Sequence, residues 1–158
     1  MEATAKKSAG QARVVRMLAL AVVLWLATVA VPSPSHADPA WDAGVAAEMV
    51  NATRAANGLG ALTPDWELQV IANRQANAMA ENGYLFHTSN LGGRLSWGWW
   101  AWAENVGAGP SVEWVHGAMM NSGHHAENIL NPSYNYVGVG VAYGYDGRVY
   151  VSQVFGAW

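Results

Sequence analysis

The alternation between Val137 and Phe155 constrains this chain more than any other segment. Val137, Val139, Val141 and Tyr143 fall on one side of an extended chain, with Gly138, Gly140 and Ala142 on the other. Tyr145-Asp146-Gly147 can turn the chain, and Val149, Val151, Gln153 and Phe155 alternate on the return. Tyr136–Phe155 therefore reads as an antiparallel hairpin. Its glycine-bearing face would let a helix approach the sheet closely.

Helical patterns come first. From Trp41 to Asn57 apolar residues recur at three and four, through Val45, Met49, Val50 and Thr53, and Gly58 and Gly60 stop the run. Asp38 to Ala40 reads as a short polar lead. Thr63-Pro64-Asp65 opens a second helix with Asp65 as its cap, and Leu68, Ile71, Ala72, Ala76 and Met79 form its apolar face up to Asn82-Gly83. Tyr84 to Ser89 looks extended, and Leu91 to Gly109, rich in glycine and tryptophan, has no clear period. Ser111 begins a third helix and His124 to Leu130 a short fourth, ended by Asn131-Pro132-Ser133. Helices before strands predict an α+β fold.

Ahead of this domain, residues 1–37 read as a secretory signal. Lys6, Lys7, Arg13 and Arg16 precede the charge-free run Met17 to Val31, fifteen residues long. That length suits a signal core and falls short of the ~20 residues that span a bilayer. Pro32 and Pro34 break the helix, and Ser35-His36-Ala37 offers small residues for cleavage after Ala37. The alternative is an uncleaved anchor, which would make this segment the only contact with a membrane. What remains is one domain, residues 38–158, with 4 basic and 10 acidic residues, no lysine and no cysteine. A net charge of −6 leaves no footprint for nucleic acid, and stability has to come from packing rather than disulfides.

Four histidines stand in this domain: His87, His116, His124 and His125. None belongs to a standalone metal motif, and neighbouring His124 and His125 point to different sides of a helix. Ser122 and His125 could pair as nucleophile and base, but the same spacing arises when Ser122 caps the turn that carries His125. Glu113, Glu127 and His116 read as solvated. The indoles of Trp97, Trp99, Trp100 and Trp102 lie within six residues. They could form an aromatic wall for a sugar, lipid or extended peptide, or close in part over the core.

The order of several segments resembles the CAP superfamily, the cysteine-rich secretory, antigen 5 and pathogenesis-related proteins, in its bacterial secreted form. The matching pieces are Asn51-Ala-Thr-Arg54 with Gly58-Leu59 and Leu62; Leu68 to Ala80; His87; and Glu104-Asn105-Val106-Gly107. They continue with Met120-Asn121-Ser122, His125 and Asn128-Ile129-Leu130, then Tyr134, Val137-Gly138-Val139-Gly140, and Tyr150, Gln153 and Phe155-Gly156. The resemblance implies a three-layer α-β-α sandwich whose cleft can hold a divalent metal, often zinc, between two histidines and two glutamates. His87, Glu104 and His125 match three of these. Ser122 stands where the second glutamate would be, and Met119 replaces a usual tryptophan. Two imidazoles and a carboxylate are a plausible three-ligand zinc set with an open position for water. The expectation is a secreted, non-catalytic binding module for an extracellular or envelope ligand (lipid, sterol, glycan or peptide). The alternative is a metal-dependent hydrolase of cell-wall or peptide substrates.

Overall fold

A computed structural model describes residues 38–158; the expected signal, residues 1–37, lies outside the described residues. Asp38 is more than a polar lead. Its carboxylate accepts from the Ala40 amide at 3.0 Å, and with Pro39 at the first helical position it starts helix α1, Pro39–Ala56. The buried face of α1 is Ala43, Ala46, Val50 and Arg54, so Val45 and Met49 sit only at its edge. Asp65 caps helix α2, Trp66–Asn82, by accepting from Glu67 and Leu68 amides at 2.9 and 3.0 Å. Gly83, at φ 73°, closes it, its backbone N–H donating a hydrogen bond to the Met79 carbonyl oxygen.

The two later helices fall close to the expected places: α3 is Val112–Met120 and α4 is Gly123–Ile129. The hairpin is present as strands β3, Tyr136–Tyr143, and β4, Val149–Ala157, with the turn glycine Gly147 at φ 78°. Two further strands complete the sheet. Thr63–Pro64 forms β1, parallel to β3, and Ala101–Gly109 forms β2, antiparallel to β4 from Ala101↔Ala157 to Gly109↔Val149. The order is β1-β3-β4-β2.

Each face of this sheet carries its own core. On one side α2 packs Leu68, Ile71, Ala72, Ala76 and Met79 against Val106, Tyr150 and Val154. Here the hairpin glycines are required. A Cβ at Gly138 would lie 2.2 Å from the Gln69 nitrogen, and one at Gly140 2.2 Å from the Ala72 carbonyl oxygen. On the other side, the alternating valines of β3 and β4 and Phe155 meet Val50 of α1, Val115 and Met119 of α3, and Ile129 of α4. The result is the three-layer α-β-α arrangement. Among the described residues no helix is long and apolar enough to cross a membrane.

Candidate functional site

Strand β2 lies at the sheet edge, and successive residues point to opposite faces. Glu104 turns toward the α2 side, and its side chain is only 4% exposed. Oε2 accepts from the Thr88 amide and lies against His87 Nδ1, both at 2.8 Å. Oε1 accepts from the Thr88 hydroxyl at 2.6 Å and the Ser152 hydroxyl at 3.3 Å. Both carboxylate oxygens are therefore fully engaged. A carboxylate only accepts, so His87 Nδ1 is the donor in this contact. The His87 side chain is 61% exposed, so a buried carboxylate holds an accessible imidazole.

Asn105, the next residue, faces the opposite layer and is fully buried. Its Nδ2 donates to the His125 carbonyl oxygen at 3.0 Å and to Gln153 Oε1 at 3.2 Å, while its Oδ1 accepts from Asn128 Nδ2 at 2.9 Å. This ties α4 to the sheet edge and brings half-buried His125 to the same end as His87. Burial first, then the charges of His87 and His124, hold the His125 pKa below its ordinary value.

Three side chains depart from expectation. Ser122 occupies the N-cap position of α4 but its hydroxyl makes no capping bond, and the Ala126 amide is accepted by its main-chain carbonyl instead. His116 is not solvated. It is 8% exposed, with Nε2 at 2.8 Å from the Thr53 hydroxyl and Nδ1 buried without a partner among the described residues. Trp99 belongs to the core, 7% exposed, donating its indole N–H to Glu67 Oε2 at 2.7 Å and stacking edge-on against Tyr136 and Trp158. Trp97, Trp100 and Trp102 are exposed, and they line a shallow hollow of about 560 Å³ whose walls include no histidine. Glu113 and Glu127 are exposed, as expected.

A groove of about 850 Å³ runs instead along α2. Its walls include Trp66, Val70, Arg74 and Gln75 of α2, Phe86 and Thr88 of the following loop, and Trp158. Thr88 joins this groove to the pair of His87 and Glu104, and its hydroxyl also lies 3.1 Å from Gln75 Oε1. Gln75 in turn donates to the Phe86 carbonyl and fixes the loop. The sequence offered no spacing signal for Thr88, Gln75 or Ser152, because the fold brings them to Glu104 from separate elements.

The donor chemistry bears on a metal. Both Glu104 oxygens are committed to neighbours, Ser122 stands where the resemblance implies a second carboxylate, and no group of three or more His, Cys, Asp or Glu side chains among the described residues is placed to hold an ion. A direct three-ligand set of His87, Glu104 and His125 does not fit this arrangement. Glu104 is instead placed as the partner that orients a histidine from behind.

Comparison with known proteins gives this architecture a family. The uncharacterized protein YkwD of Bacillus subtilis (strain 168) is 33% identical over 117 residues, covering 69% of this chain. The chain spans 45% of YkwD's length. An outer surface protein of Borrelia burgdorferi superposes with a TM-score of 0.68 at 21% identity, over 77% of this chain and 96% of that one. An extracellular protein containing a SCP domain from Bacillus anthracis (strain Ames) gives 0.65 at 24% identity, over 76% of this chain and 41% of that one. Residues 47–155 match the family model for the cysteine-rich secretory protein family, CAP. The chain belongs to the CAP family.

Proposed function

We propose that this domain acts outside the cytoplasm as a non-catalytic binding module, holding an extracellular or envelope ligand in the groove along α2. Residues 1–37 would serve as its export signal. The extracellular and outer-surface proteins among its structural relatives support that location. The observation that carries the binding reading is the saturated Glu104 carboxylate. A general base needs a free lone pair aimed at the substrate, and Glu104 spends its oxygens on His87, Thr88 and Ser152. What it builds is a rigid corner at one side of the groove.

A second reading, metal-dependent hydrolysis, has one observation in its favour. The exposed His87 imidazole lies within charge range of His125, so the two imidazoles are the residues that would hold a zinc ion, with Glu104 behind His87. Bound zinc would supply an activated water.

Zinc titration by calorimetry, with His87→Ala and His125→Ala beside wild type, separates the two. Binding lost in both variants, together with chelator-sensitive hydrolysis of cell-wall fragments or peptides, would favour the hydrolase. The binding reading predicts no such hydrolysis. It also predicts ligand affinity that persists in chelator and is lost when Ala78→Trp fills the groove.

A further inference from the structure

We propose that the open edge of β3 is a docking site for an extended, cationic peptide segment, added as a strand beside Val141 and Tyr143. The site lies on a different face of α2 from the groove above and shares no lining residue with it, so the two stand or fall separately. Hydrogen bonds fix which way the edge points. Gly144 donates its N–H to the Arg148 carbonyl at 2.9 Å, so in this register the even-numbered residues of β3 turn their main chain toward β4. The odd-numbered residues turn theirs outward. Val137 O accepts from the Asp65 amide at 3.0 Å, just where β1 ends. Val139 is answered by a side chain: its N–H donates to Gln69 Oε1 at 3.2 Å, and its carbonyl accepts from Gln69 Nε2 at 2.5 Å. The Gln69 carboxamide thus stands in for one peptide group of a neighbouring strand. Beyond it, the outward main-chain groups of Val141 and Tyr143 have no partner among the described residues.

Two adjoining hollows, of about 650 and 270 Å³, follow this edge and share Pro39 and Asn77. One wall is the first half of α1, where Ala40, Ala43, Gly44 and Ala47 are small enough to let a main chain approach. The other wall is α2, where Gln69, Asn73, Asn77 and Glu81 recur every four residues on one face. A carboxamide carries the donor and acceptor of a peptide group, so this wall suits a main chain. Asn73 Nδ2 and Asn77 Oδ1 have no partner among the described residues. The charged residues of the lining are Asp38 and Glu81, both exposed and neither in an ion pair among the described residues. An unpaired strand edge beside amides and two acids is the complement of an extended peptide that carries a lysine or arginine. A second copy of this domain offers no lysine and a net charge of −6, so it fits the acids poorly.

The test is calorimetric titration of the full chain with an acetylated, amidated pentapeptide, alanine-valine-alanine-valine-lysine, and three analogues. One ends in glutamate, one is N-methylated at both valines, and one is N-methylated at both alanines. Alternate N–H groups of a strand point to opposite edges, so one methylated peptide should bind about tenfold or more weaker than the parent and the other about equally. The glutamate peptide should bind about threefold or more weaker. Gly44 has open space where a Cβ would go, so Gly44→Phe should fold and abolish binding, as should Ala40→Phe as a second filler of the hollow. Methylated peptides that bind alike would overturn strand addition. Equal binding of the lysine and glutamate peptides would overturn the cationic class. No binding of the parent, or binding indifferent to both fillers, would overturn the site. A dimer in light scattering that Gly44→Phe dissociates would give the edge to a second copy and overturn the proposal as well. None of these outcomes bears on the groove on the other face of α2.

Discussion

Asn105 donates its Nδ2 to the main-chain carbonyl of His125 at 3.0 Å, fastening the helix of one histidine to the strand whose preceding residue holds the other. Glu104 and Asn105 thus divide the work by strand alternation. Glu104 orients His87 on the α2 side of the sheet, and Asn105 holds α4 on the far side.

Replacing Asn105 by Ala leaves Asn128, Gln153 and the His125 carbonyl short of a buried partner. Urea unfolding should show a loss of about 2–4 kcal/mol. Burial is the main cause of the depressed His125 pKa, so freeing α4 should raise that pKa toward 6.5 in an NMR titration. An unchanged His125 titration would mean that Asn105 does not position it.

Arg54 is a structural cation. At 2% exposure it bonds the carbonyls of Gly60, Ile129, Asn131 and Tyr134, joining the end of α1 to the segment after α4. Arg54→Met should cost about 3–5 kcal/mol in urea unfolding, because it orphans several carbonyls at once.

The sheet glycines differ sharply from a helix glycine. Gly140→Ala would drive a methyl group onto the Ala72 carbonyl and should cost about 3 kcal/mol or more. Gly117, in α3, has open space where a Cβ would go, so Gly117→Ala should stabilise by about 0.5–1 kcal/mol. Thermal melting of the two variants should move in opposite directions.

Much of this was legible in the sequence because periodicity and capping residues act locally. The hairpin, the four helices and the role of its glycines follow from alternation, from apolar spacing and from Asp65 and Gly83. Strand β2 was not legible. Ala101–Gly109 has Val106 as its one β-branched residue, and its order comes from pairing with β4. The candidate site was half legible. His87, Glu104 and His125 stand out by type, but Glu104's engagement with Thr88 and Ser152 is a tertiary fact. His116 looked solvated because its neighbours in sequence are mixed, and only the meeting of α1 with α3 buries it.

Buried His116 should make stability pH-dependent. Burial holds its folded pKa below 6.5, so the unfolded chain takes up the proton first as pH falls. Its contribution is full above 6.5, declines as pH drops below it, and levels once the folded pKa is passed. The loss of stability between neutral and mildly acidic pH should be smaller in His116→Gln than in wild type, measured by urea unfolding across that range.

The most direct test of the central claim is a map of amide and indole NMR shifts while dodecyl phosphate, a lipid-like probe of the α2 groove, is added to the protein. The groove reading predicts shifts along α2 at Val70, Arg74 and Ala78, in the Thr88 amide, and in the indoles of Trp66 and Trp158. Shifts confined to Trp97, Trp100 and Trp102, or none at saturating ligand, would contradict it.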